Sequence, residues 1–249
     1  MTYCVGILVR DGLVMIADTR TNAGVDNIAT FRKLHLFEIP GERVITLATA
    51  GNLSVSQSVM SLLSEGIEDP VSGEIETLLS VSSMFKAAQL VGRAIRQVYE
   101  MDGAEMEKHH TGFDVTILLG GQIGQGPMRL YQVYSAGNAI EATQDTPFLQ
   151  IGEPKYGKPI LDRAISHETE LIEALKLGLI SMDSTLKSNL GVGLPIDIVM
   201  AKRNALKAGI TYRIQEDEPY FRDLRERWSA ALRAAHQAIP HPPYVEEAL

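Results

Sequence analysis

Thr2 directly follows the initiator methionine, so loss of Met1 would leave a hydroxyl and a free α-amine on one residue. A threonine hydroxyl is a weak nucleophile near neutrality and needs an adjacent base. An α-amine titrates near ~7.7–8 and can be that base without a distant histidine. Asp18, Lys33 and Gly51 have the types that would complete such a site. Asp18 is either a solvated turn carboxylate or a buried one that orients a cation near Thr2. Lys33 is either an edge lysine at a strand start or, beside Asp18, an ammonium that stabilises a developing alkoxide. Gly51 is either a turn glycine between a strand and a helix or an oxyanion donor, its N–H helped by the helix N-terminus.

These residues act together only if strands and turns bring them together. Residues 2–9, TYCVGILV, read as a buried strand; Arg10-Asp11-Gly12 reads as a hairpin turn, and 13–18, LVMIAD, as its partner. That hairpin returns Asp18 to the neighbourhood of Thr2. A second strand pair is expected at 33–39 and 43–50, broken by Pro40-Gly41. Helices follow at 53–65 and 83–101, each with apolar residues on one face. Strands are expected at 113–119 and 127–135, with Gly120-Gly121 and Gly124-Gln125-Gly126 read as the connection. This glycine cluster has no Lys-Ser/Thr and opens no helix, so it is not a phosphate loop. Helices at 156–166 and 169–187, strands at 195–202 and 210–215, and a last amphipathic helix at 218–238 complete the chain.

Strands and helices in separate groups imply α+β, with two antiparallel sheets stacked between two helix layers. Residues 1–215 form the expected main domain, and 216–249 a C-terminal helix and tail that pack on the same domain or on a neighbouring subunit.

Composition narrows the partners. The chain has 249 residues, a formal net charge of −8 and no basic run, so nucleic acid is not expected. A single cysteine, Cys4, rules out an internal disulfide and suits a reducing compartment. It alternates with Tyr3 and Val5 as a small buried strand residue. No charged and apolar leader and no run of about 18 apolar residues is visible, so a cytoplasmic protein with no membrane partner is expected. His109-His110 lacks companions at ligand spacing, so no metal is expected, and the chemistry of Thr2 needs no cofactor.

An N-terminal threonine opening a strand, Asp18 closing the second in "MIADTR", Lys33 opening the third, and "ATAGN" leading into a helix form an ordered set. In this the chain resembles the proteasome β-subunit family of N-terminal-nucleophile hydrolases, from Thr2 to about residue 215. "YCVGILVRDGLVMIADTRTNAG", "TPFLQIGEPKYGKPILDRAI" and "STLKSNLGVGLPIDIVM" resemble the bacterial ancestral β-subunit, or Anbu, branch.

The resemblance implies the αββα fold, processing at Met1 alone, Thr2 as nucleophile with its own amine as base, Asp18 and Lys33 as charged partners, and Gly51 as oxyanion donor. It implies that substrate lies as an extended strand along Thr21 and Asn22, with Leu53 lining a specificity pocket. It further implies a homo-oligomer, ring or open helix, that cleaves peptide or protein substrates; nothing in the chain identifies an unfolding ATPase. Two alternatives remain: a narrow-specificity amidase for a dedicated peptide conjugate, and a non-catalytic assembly scaffold. The family's supporting serine is replaced by Glu153, and its Asp-x-x-Ser stretch by Ser188-Asn189-Leu190-Gly191. Glu153, Ser188 and Gly191 are therefore candidate supporting residues whose chemistry differs from that of a proteasome.

Overall fold

The computed structural model describes residues 1–22 and 28–245, the side chains of Asn22, Ile28 and Val245 excepted. The chain divides into two compact units, Met1–Gln215 and Glu216–Leu249.

The first unit opens with β1 (Tyr3–Val9) and β2 (Gly12–Asp18), then β3 (Arg20–Asn22), β4 (Ile28–Thr30), β5 (Leu34–Ile39) and β6 (Arg43–Gly51). Helix α1 (Leu53–Glu65), β7 (Ile67–Glu68), β8 (Ile75–Glu76) and α2 (Met84–Lys108) follow. Next come β9 (Val115–Ile123), β10 (Arg129–Val133), β11 (Ala139–Glu141) and β12 (Phe148–Gly152). Then α3 (Lys158–Ala164), α4 (Leu171–Ser188), β13 (Ile196–Lys202) and β14 (Ile210–Ile214) complete it.

Two antiparallel five-stranded sheets result, ordered β12-β1-β2-β13-β14 and β11-β10-β9-β6-β5. Every residue of β1 and β2 is buried, which is why their sequences run nearly continuously apolar instead of alternating. Between the sheets lie Cys4, Leu13, Met15, Ala48, Leu118, Leu130 and Val199. The outer face of the second sheet packs Ile45, Leu47, Ile117 and Leu119 against Val59, Leu63, Leu90, Val91 and Ile95 of α1 and α2. On the other side, α4 approaches the first sheet closely; a Cβ on Gly178 would stand 2.7 Å from Ile16 and 3.2 Å from Ile7. The unit is therefore a four-layer αββα sandwich, as its sequence implies.

Three differences from the sequence reading have physical reasons. Gly120 and Gly121 lie inside β9 and not in the turn. A Cβ on Gly120 would come within 2.7 Å of Leu13, so this glycine marks close approach of the two sheets. Helix α2 runs to Lys108, past the expected 101, because its last two turns are mostly solvent-facing and carry no apolar period to read. Finally, β12 pairs with β1, Tyr3 opposite Gly152, and so runs beside the start of β1 as a strand that the periodicity does not reveal.

The second unit holds α5 (Pro219–Ala238). Glu218 caps it, accepting from the Phe221 amide at 2.5 Å, with Pro219 in the first turn. Among the described residues, no helix is long and apolar enough to cross a membrane.

Candidate active site

Pairing of β1 with β2 sets Cys4 opposite Ala17, so Asp18 emerges beside Tyr3 and Thr2. Asp18 is fully buried and its Oδ1 accepts from the Tyr3 amide at 3.0 Å. The same oxygen accepts from Lys33 Nζ at 2.8 Å, and Oδ2 accepts from the Gly193 amide at 3.3 Å. Lys33 is 4% exposed and donates a second bond to the Arg20 carbonyl at 2.5 Å. Burial pushes the Asp18 carboxyl above its ordinary range, while the Lys33 ammonium and the two amides pull it back. One carboxylate thus ties a cation to the residue that follows Thr2.

Gly51 ends β6 with φ +111°. A side chain there would collide with the Asp114 carbonyl, so the position demands glycine both by conformation and by space. The Thr49 amide donates to the Lys33 carbonyl at 3.0 Å, which holds the end of β6 against the start of β5 and brings Gly51 to the Asp18–Lys33 side of the sheet. Asn52 caps α1, its Oδ1 accepting from the Ser54 amide at 3.0 Å. A cavity of about 650 Å³ opens beside these elements, lined by Phe31, Arg32, His35, Phe37, Thr49, Leu53, Ser56, Gln57 and Met60 among others. Burial, with Arg32 nearby, holds the His35 imidazole below its usual pKa.

Thr2 is held from both directions. Its carbonyl accepts from the Glu153 amide at 2.8 Å. Gly152 turns with φ +86°, and a Cβ there would collide with the Thr2 carbonyl and lie 3.3 Å from Thr2 Cβ. Tyr3 anchors the next position: its phenol contacts Ser181 Oγ at 2.5 Å and accepts from Gln150. Burial pushes that phenol's pKa up to about 12.

Glu153 is 5% exposed. Ser188, the last residue of α4, is exposed; its neighbour Asn189 makes the inward contacts instead. Asn189 Nδ2 donates to Glu153 Oε2 at 3.3 Å, and Asn189 Oδ1 accepts from the Gly191 amide at 2.9 Å. Gly191 is buried, with the Met1 side chain against it. Thr21 lies on β3 opposite Ala29, and its hydroxyl is buried without a hydrogen-bond partner among the described residues. Asn22 continues that strand, but its side chain lies outside the described residues.

The sequence does not mark Tyr3, Arg20, Asn189 or Gly193 as site residues. Arg20 donates to the Leu190 carbonyl at 3.1 Å, and a Cβ on Gly193 would collide with its guanidinium. The run Gly191-Val192-Gly193 was the available signal, since paired glycines mark close backbone approach. Cys4 is buried, its thiol 3.7 Å from the Thr49 carbonyl, and burial pushes its pKa up. His109 is the C-cap of α2, and His110 follows it with φ 54°.

No protein-family profile matches this sequence, and no curated protein matches it. Solved structures do. Anbu (ancestral β-subunit) from Yersinia bercovieri is 47% identical, with a TM-score of 0.88, over 96% of this chain and 98% of that one. The Anbu (Gly-1) mutant from Hyphomicrobium sp. strain MC1 is 48% identical, with a TM-score of 0.88, over 97% and 99% of the two chains. The helical assembly of the Anbu complex from Pseudomonas aeruginosa is 46% identical, with a TM-score of 0.90, over 97% and 98%. Identity at this level along nearly the whole of each chain shows that this chain belongs to the Anbu (ancestral β-subunit) family.

Proposed function

We propose that this chain is a threonine-type peptidase whose nucleophile is Thr2 after Met1 has been removed. The observation that carries this reading is the double use of Asp18, which binds the Tyr3 amide at 3.0 Å and the Lys33 ammonium at 2.8 Å. A buried cation is thereby fixed within one residue of Thr2.

The reaction follows from these groups. The Thr2 α-amine takes the proton from Oγ1 as that oxygen bonds to the scissile carbonyl carbon. The Gly51 N–H, at the N-terminal end of α1, donates to the oxyanion. Collapse breaks the carbon–nitrogen bond, and the Thr2 ammonium returns its proton to the departing amine. Water then attacks the resulting ester, with the amine again as base, and the acid product leaves. Throughout, the Lys33 ammonium faces the negative charge that develops on Oγ1, and Asp18 holds the ammonium in place.

Substrate binds as an extended strand along Thr21 and Asn22. The unpartnered buried Thr21 hydroxyl supports this, because an inserted strand would supply the missing partner. The side chain preceding the cut enters the cavity walled by Thr49 and Leu53. The working form is a homo-oligomer, in keeping with the helical assembly of the Pseudomonas aeruginosa relative.

Intact-mass measurement combined with an epoxyketone inhibitor tests this reading. The inhibitor bonds to both the hydroxyl and the free amine of one residue, so an adduct mapped to Thr2 and absent in Thr2→Ala supports it. A chain shown to lack Met1 that stays unlabelled, while a proteasome control reacts, refutes it and leaves the scaffold role. Digestion of a peptide library alongside host extract then separates a general peptidase from a narrow amidase.

A further inference from the structure

Two buried carboxylates flank Thr2, and their surroundings differ in one respect. Asp18 has a cation at 2.8 Å. Glu153, 5% exposed, has no cation within ion-pair distance among the described residues. Its oxygens accept only from the Lys155 amide and Asn189 Nδ2, both at 3.3 Å, the long end of the hydrogen-bond range. A carboxylate taken out of water and held by two long hydrogen bonds still has room for a cation as partner.

The location of Glu153 indicates where a cation would come from. Its own amide binds the Thr2 carbonyl at 2.8 Å, so the two residues are in backbone contact. A point at the Cβ position of Gly191 lies 2.6 Å from Met1 Cβ and 3.1 Å from both Met1 Cγ and Asn189 Oδ1. The Met1 side chain and the Asn189 amide that binds Glu153 therefore both border Gly191. Hydrolysis of the Met1–Thr2 bond removes this side chain and leaves an ammonium at the Thr2 nitrogen, in the residue whose carbonyl Glu153 binds.

We infer that Glu153, oriented by Asn189, is a positioning residue that pairs with the α-ammonium of processed Thr2 and sets the pH at which that amine becomes a base. The inference rests on the threonine-peptidase reading above. The other charged groups around this point are otherwise engaged. Asp18 and Lys33 neutralise one another, and Arg20 is directed at the Leu190 carbonyl. Lys155, in the turn after β12, and Lys187, in the last turn of α4, are exposed. Asp183, buried on α4, has an interaction of its own. A carboxylate that pairs with the ammonium favours its charged form, so the free base appears at higher pH than it would beside a neutral serine.

The test measures the amine directly in protein that has lost Met1. Trace acetic anhydride competes for Thr2 against a reference amine across about pH 5–10, and mass spectrometry reads the extent of acetylation. Compared with wild type, Glu153→Gln is expected to lower the Thr2 midpoint by about one to two pH units, about ten- to a hundredfold more free amine below the midpoint. Glu153→Asp, which keeps the charge, is expected to stay nearer wild type. Equal midpoints in wild type and Glu153→Gln, with both proteins melting cooperatively, overturn the pairing. An epoxyketone arm separates the two claims: a shifted midpoint without any adduct keeps the pairing and rejects Thr2 as nucleophile. An adduct whose pH dependence ignores residue 153 does the reverse.

Discussion

Replacing Lys33 with methionine removes the one charged partner that Asp18 has among the described residues, while nearly keeping the length of the side chain. Asp18 then retains two of its three donors, the Tyr3 amide at 3.0 Å and the Gly193 amide at 3.3 Å. Breaking a buried pair by removing one ion costs about 3–5 kcal/mol, because the other charge is stranded. The two surviving amides put Lys33→Met near the lower figure, about 3 kcal/mol, a large fraction of the ~5–15 kcal/mol typical of a domain. Adding Asp18→Asn removes the stranded charge, so the double variant should be at least ~2 kcal/mol more stable than the sum of the single losses predicts. The pH dependence has a definite sign. Without Lys33, burial acts on Asp18 with less opposition, so its folded-state pKa rises further above the unfolded value. The folded state then binds more protons, and stability rises as pH falls through that pKa. The deficit of Lys33→Met should accordingly shrink between pH ~7 and ~5, and that of the double variant should not. Urea unfolding at fixed protomer concentration, which holds any assembly term constant, measures all four proteins; the single loss corresponds to a midpoint lower by about 1–2 M. Additivity of the two substitutions within ~0.5 kcal/mol, or a pH-independent deficit, would refute the claim that Asp18 is a buried ion held by Lys33.

Tyr3 should give an alkaline signature. Its unfolded phenol ionises near the ordinary value of 10.0 and its folded phenol near about 12, so between those values Tyr3 by itself makes stability fall by ~1.4 kcal/mol per pH unit, on top of the slope from other buried groups such as Cys4. Tyr3→Phe should lack that slope, and unfolding midpoints compared at pH 9, 10 and 11 check it. Gly152→Ala combines φ +86° with a Cβ that meets the Thr2 carbonyl, so it should lose at least ~2 kcal/mol and at least tenfold in epoxyketone labelling. Gly124→Ala, with φ +49° and open space around it, should lose ~1 kcal/mol or less by the same denaturation measurement and leave labelling unchanged.

How much was legible in the sequence follows from how local the signals are. The β1–β2 hairpin returns the chain after a turn, so Asp18 could be placed beside Thr2 from spacing alone. Lys33 precedes and Gly51 ends a second strand pair, whose register sets Leu34 opposite Ala48 and so carries Lys33 to Thr49. The fold class was readable from grouped periodicities for the same reason. The Glu153–Asn189 contact spans 36 residues and the Tyr3–Ser181 contact 178; neither carries a period. Strand β12 escaped because only five residues, FLQIG, form it, too few for alternation to stand out. Ser188 was chosen by its match to a family pattern. The structure directs the next residue inward, because α4 ends at Ser188 and the chain leaves it extended at Asn189 (φ −136°, ψ 108°).

The two carboxylates beside Thr2 illustrate why one part of a site can be read and another cannot. Asp18 is matched by a charge that the sequence contains, so its partner is a residue and the pair has a spacing. On the present reading Glu153 is matched by a charge that no codon specifies, because the ammonium exists only after the peptide bond to Met1 is broken. A sequence comparison registers that change as a lost serine, as though support had been removed. The proposed pairing gives it a different meaning: a buried acid that binds Asn189 through its side chain and the Thr2 carbonyl through its amide, beside a nitrogen that processing would release. Hydrolysis at Met1 would then do two things in one step, exposing the base and supplying the counter-charge that makes the buried glutamate tolerable. If so, processing should stabilise the folded chain, and the unprocessed protein should be the less stable of the two.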